Sequence, residues 1–175
     1  INALFFSDYG NRVLPSSAGR TTMCPTELQW SEGDTPQIRL LPIETRREHV
    51  TVGELKRYPD MWTRIDLDIG STSALQEAMA RVGETKVVSV DEAEALGFVI
   101  DAQGTQGLQP SDSGEVTVPC WRHAVIHFQH PLLEQGLVVL DTPGLNAIGA
   151  EPELTLSLLP NAHAVLFILA ADTGV

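Results

Sequence analysis

An apolar run, Leu137-Val138-Val139-Leu140, ends in Asp141 and passes straight into Thr142-Pro143-Gly144. A buried strand that delivers a carboxylate to the end of a sheet can hold Mg²⁺. A glycine in the turn that follows frees a backbone N–H for the γ-phosphate of a nucleotide. Taken alone, Asp-x-x-Gly is also an ordinary strand-to-loop turn. Far upstream, Ser16 to Thr22 is a polar loop that carries threonines ahead of a strand. A threonine so placed can ligate the same ion through its hydroxyl and orient an attacking water with its carbonyl. It is the pair of motifs, more than either one, that points to nucleotide chemistry.

The elements that must position them follow from patterning. Ile1 to Phe6 reads as the tail of a helix, broken by Asp8 to Asn11. Gln37 to Ile43 alternates weakly and reads as a strand. Val52 to Tyr58 reads as a short helix. Ser71 to Val82 is the best helix, with Leu75, Met79 and Val82 on one stripe and Ser or Thr as its N-cap. Asp91 to Leu96 is a second short helix, with Asp91 as its cap. Ala102 to Gly114 is rich in Gly, Gln and Ser and reads as a flexible surface loop. Val116 to Val118 and Trp121 to Phe128 read as strands, and Gly136 turns tightly into the strand 137–141. Glu151 to Leu159 reads as a helix, and Ala164 to Ala170 as a central strand buried on both faces.

The chain has 175 residues, 43% of them apolar, about the size of one α/β domain. A net charge of −12 argues against a nucleic-acid surface or a polybasic membrane patch. Cys24 and Cys120 make no disulfide framework, and reduced thiols are the simpler reading. No apolar run approaches the ~20 residues of a membrane span, and there is no signal peptide. A start at Ile1 without Met and a stop after a strand-like run read as cuts through a larger protein.

Ile1-Asn2-Ala3-Leu4, Val13-Leu14-Pro15, Gly19-Arg20-Thr21-Thr22-Met23-Cys24-Pro25-Thr26-Glu27-Leu28 and Leu140-Asp141-Thr142-Pro143-Gly144-Leu145 occur in this order. In that order they resemble the GTPase domain of the dynamin family, in its bacterial dynamin-like branch. The resemblance implies a P-loop NTPase-type three-layer αβα sandwich with a mostly parallel sheet, here incomplete. It makes residues 1–175 a partial GTPase domain, with switch one at about 16–28, a long insert at 45–115 and switch two at 141–151. The phosphate-binding loop would lie before Ile1 and the guanine-specificity motif beyond Val175, so the isolated chain is expected to be inactive.

Carried over by the resemblance, Thr22 matches the switch-one threonine, with Thr21 one position away as the alternative. Asp141 matches the acid that holds Mg²⁺ with Thr22, and Gly144 the γ-phosphate donor. Thr22 and Gly144 are then the catalytic positions, and Thr21, Thr22, Asp141, Thr142, Pro143 and Gly144 line the nucleotide. Leu145 stands where Ras-like GTPases carry a catalytic Gln. An apolar side chain cannot orient water, so help would come from the phosphate-binding loop and from dimerisation across the nucleotide face. The resemblance further implies GTP as substrate and hydrolysis coupled to self-assembly and membrane remodelling. The membrane would be met through regions outside these residues, in the cytoplasm or at the inner face of the cytoplasmic membrane, with no nucleic acid as partner.

Thr22 and Asp141 stand 119 positions apart. Era-like and tRNA-modifying GTPases share Asp-Thr-Pro-Gly but keep their switches close, so an RNA-acting GTPase is the lesser reading. A non-catalytic switch scaffold is the other. His123, His127 and His130 read as strand-surface histidines rather than a metal site, Cys24 as a packed loop residue, and Trp30, Trp62 and Trp121 as packing. Arg46-Arg47 reads as a solvated pair.

Overall fold

The computed structural model describes residues 1–9, 13–14, 24–101, 107–142 and 162–166. Its strands are Thr26–Gln29 (β1), Gln37–Pro42 (β2), Thr63–Asp66 (β3), Thr85–Ser89 (β4), Glu115–Pro119 (β5), Trp121–His127 (β6) and Val139–Asp141 (β7). Its α-helices are Asn2–Phe5 (α1), Val52–Leu55 (α2), Thr72–Ala80 (α3), Val90–Ala95 (α4) and Pro131–Glu134 (α5).

Five strands join in the order β3-β2-β6-β1-β7. β1 and β6 run parallel, while β1·β7, β2·β6 and β2·β3 run antiparallel. The α/β class read from the sequence is what these elements form. The parallel share of the described sheet is the β1·β6 ladder at its centre.

Period-two alternation sends Leu28, Ile38, Leu40, Ala124 and Ile126 to one face, where they pack with Phe5, Phe6, Leu75, Met79 and Leu133 from α1, α3, α5 and their ends. Leu41 and Val125 face the other way and meet Leu55 and Trp62. The sheet is therefore covered on both sides, which a parallel central pair requires.

The segment 45–115 is not a separate appendage. It supplies β3 to the edge of the main sheet and α3 to its core. Leu55 of α2 and Trp62 cover the sheet's other face, while β4 and α4 join β5 in a satellite that closes over Ile43, Val88, Ala93, Leu96, Phe98, Leu108, Val116 and Val118.

Local details sharpen the sequence reading. The Ser71 side chain caps α3 as expected. The second short helix begins one residue earlier than expected, and Ser89 rather than Asp91 is its cap, accepting from the Glu92 N–H. Residues 102–106 of the expected loop lie outside the described residues. Leu108, however, is core, bridged to Ile100. Its apolar side chain outweighs the polar composition around it. Gly136 takes φ +86°, the left-handed conformation its turn needs. The expected helix 151–159 lies outside the described residues, as do residues 167–170 of the expected buried strand; its described residues, Ala164, Val165 and Leu166, are instead exposed and in no strand. Among the described residues no helix is long and apolar enough to cross a membrane.

Candidate functional site

The register of β1 against β7 sets Thr26 opposite Asp141, Glu27 opposite Leu140 and Leu28 opposite Val139. β1 begins at Thr26 and β7 ends at Asp141, so the loop entering β1 and the loop leaving β7 depart from the same end of the sheet. Thr26 and Asp141, 115 positions apart in the chain, are thus direct ladder partners. The Thr26 hydroxyl donates to the Cys24 carbonyl at 3.1 Å and fixes the chain entering β1.

The other end of the upstream loop is also tied down. The Asn2 Oδ1 accepts from the backbone N–H groups of Val13 at 3.0 Å and Leu14 at 2.8 Å, and its Nδ2 donates to the Leu14 carbonyl at 3.0 Å. Asn2 is a clamp that the sequence reading quoted as part of a motif but gave no role. Its signal was a polar amide, a poor helix former, in the first turn of an otherwise apolar helix.

Asp141 is partly buried, and burial pushes its carboxyl above the usual aspartate range, with the Ile1 amino group opposing. No side chain among the described residues is recorded donating to it. A carboxylate at a strand end that is short of compensating charge fits a cation ligand. Thr142 follows it, half-buried. Thr21, Thr22, Pro143, Gly144 and Leu145 lie outside the described residues. What the structure brings together is therefore Asp141, Thr142, the clamped Leu14 and the Cys24–Thr26 stem.

Behind this end, the second face of β1 carries charge. Lys56 Nζ, at the end of α2, donates to both Glu27 oxygens at 2.9 and 2.6 Å. His123 Nε2 stands 3.5 Å from Glu27 Oε2. Burial alone would raise the Glu27 carboxyl, but the nearby His123 ring and the hydrogen bonds and charge of Lys56 bring it down to about 2.

Four positions along β6 from His123, His127 Nδ1 lies 2.7 Å from Asp34 Oδ2 and its Nε2 3.3 Å from Gln29 Nε2. With the Gln29 amide as donor, Nε2 accepts, and Nδ1 carries the proton given to Asp34. Burial pushes Asp34 up, while the hydrogen bond from His127 and that from the Ser31 N–H pull it below the usual range.

The histidines correct the sequence reading. His123 and His127 are buried, 1% and 4% exposed, because β6 is flanked by β1 and β2 and covered on both faces. They share a face but meet different carboxylates. His130 instead caps α5, its Nδ1 accepting from the Leu132 N–H at 3.2 Å, and packs edge-on to Phe5. Arg46 corrects it too: the guanidinium lies 4.4 Å over the Phe98 ring, and of the pair Arg47 alone is exposed. Cys24 is buried, Trp62 is core, and Trp30 and Trp121 pack against the core, as read.

The sequence model of the dynamin family matches residues 1–175. A bacterial dynamin-like protein of Nostoc punctiforme (strain ATCC 29133 / PCC 73102) is 41% identical over 50 residues, covering 29% of this chain and 7% of that protein. The chain thus aligns with a small part of this relative's length. No solved structure matches it significantly. With a family match over its whole length and the strands that flank the two loop motifs paired at one sheet end, the chain belongs to the dynamin family.

Proposed function

We propose that this chain is the GTP-binding and GTP-hydrolysing part of a dynamin-like large GTPase. The observation that carries the reading is the Thr26–Asp141 pairing, which brings the stems of both nucleotide-sensing loops to one place. Asp141 and Thr22 would hold Mg²⁺, which when bound supplies positive charge to the transferring phosphoryl group. Thr22, or its neighbour Thr21, would place the attacking water through its carbonyl. Gly144 would give its N–H to the γ-phosphate, with Thr142 and Pro143 shaping the turn. Loss of that phosphate would release both loops, of which the upstream one has its two stems held by Asn2 and Thr26.

Family membership supports a second layer: hydrolysis coupled to self-assembly and to membrane remodelling through regions outside these residues, on the cytoplasmic side. The test is GTP turnover by the full-length protein with Mg²⁺, wild type against Asp141→Ala and Thr22→Ala. Collapse in both variants with intact folds supports the reading. Absence of turnover in all three, again with intact folds, replaces it with a non-catalytic scaffold.

A further inference from the structure

We infer that Lys56 and Glu27 form a positioning pair through which the long intervening segment holds the strand joining the two loops. Glu27 adjoins Thr26, the partner of Asp141, and lies opposite Leu140. Its side chain is 11% exposed, whereas the carboxylates of Arg47–Glu92, Arg64–Asp66, Arg81–Glu84 and Lys86–Glu44 are 38–76% exposed. A carboxylate this enclosed must keep its partner, because removing one side of a buried pair strands the other charge.

Lys56 is held firmly enough to serve. Thr51 and Glu54 form a capping box at the start of α2, and the Trp62 indole N–H donates to the Leu55 carbonyl at 2.9 Å. The pair also guards register. β1 has four residues and β7 three, and a slip of one would turn Glu27 into the apolar layer of Leu28, Ile126 and Phe128. The groups facing Glu27 are Lys56 from α2 and His123 from β6, with the Trp62 ring edge-on to His123; β7 offers Glu27 a ladder partner in Leu140. Movement of α2 is thereby transmitted to the strand that carries the Asp141 partner. The turnover arm of the test rests on the GTPase reading; the exchange arm does not.

Hydrogen exchange of the β1 and β7 amides is measured in the nucleotide-free full-length protein. Lys56→Met should exchange about tenfold faster than wild type, and Lys56→Arg should restore it. The double variant Glu27→Gln/Lys56→Met should return close to wild type, because no charge is left stranded. Unchanged exchange in Lys56→Met, or a double variant as loose as the single, overturns the pair. In the turnover arm, kcat should fall about tenfold in Lys56→Met and recover in Lys56→Arg. Normal kcat in Lys56→Met overturns the transmission to the site. Absent turnover in wild type removes the GTPase reading, and exchange still decides the pair.

Discussion

The mixed main sheet and the antiparallel β4·β5 satellite are both built from short ladders, yet they place charge in opposite ways. The β4·β5 ladder encloses an apolar cluster with the Arg46 guanidinium over its Phe98 ring, and its ion pairs, Lys86–Glu44 and Arg47–Glu92, lie at the exposed rim. The main sheet carries Glu27, His123 and His127 buried on one face and leaves Asp141 partly buried at its end. Exposed pairs contribute little and tolerate replacement, whereas buried ones hold geometry at the cost of desolvation. The difference shows where the molecule needs accuracy: at the strand between the loops, not in the satellite.

The sharpest way to break that contrast is at Asp141. In the full-length protein Asp141→Ala should lower GTP turnover by about a hundredfold or more, measured as phosphate release. Next comes the satellite core. Phe98→Ala should cost about 3 kcal/mol in chemical denaturation, from the lost ring burial and the loss of its contact with Arg46. If that variant also loosened the β1·β7 amides, the two regions would not be distinct.

Lys56→Met should cost about 2 kcal/mol, less than a fully enclosed pair because the lysine is partly exposed. Its pH signature is fixed in sign. The Glu27 carboxyl is held at about 2 against an ordinary 4.5, so its stabilisation is full above about pH 4.5 and is lost as pH falls toward 2. Asp34 is lowered as well and acts in the same direction. Melting temperature against pH should therefore drop through this window in wild type and drop less in Glu27→Gln.

Asp141→Asn should do the reverse of most substitutions. The carboxyl is raised by burial, so its ionisation opposes folding as pH rises above the ordinary aspartate value. The amide removes that charge, and the Mg²⁺-free protein at neutral pH should melt about 2–4 °C higher while losing turnover. Smallest of all, Arg47→Ala should change stability by no more than about 0.5 kcal/mol, as its pair with Glu92 is exposed. A larger loss would mean that the rim pairs hold the satellite after all.

Much was legible locally. The stripe Leu75, Met79, Val82 specified α3, alternation specified β2 and β6, and Asp141 at the close of an apolar run marked a strand end. These signals are short-range, set by helical and strand periodicity and by turn chemistry. The strands β3 and β4 passed unread, since Thr63-Arg64-Ile65-Asp66 and Thr85 to Ser89 are mostly polar or exposed and owe their form to β2 and β5. The histidines were misplaced because burial depends on which strands flank β6, and composition does not record that.

The sequence by itself determined the family, the α/β class and the identity of the acid at 141. Tertiary structure decided that Thr26 lies opposite Asp141, that Asn2 grips Val13 and Leu14, and that Lys56 reaches Glu27. Each of these joins residues distant in the chain. Such contacts form only when burial of the apolar layers brings the strands together, and no local pattern encodes which partners then meet.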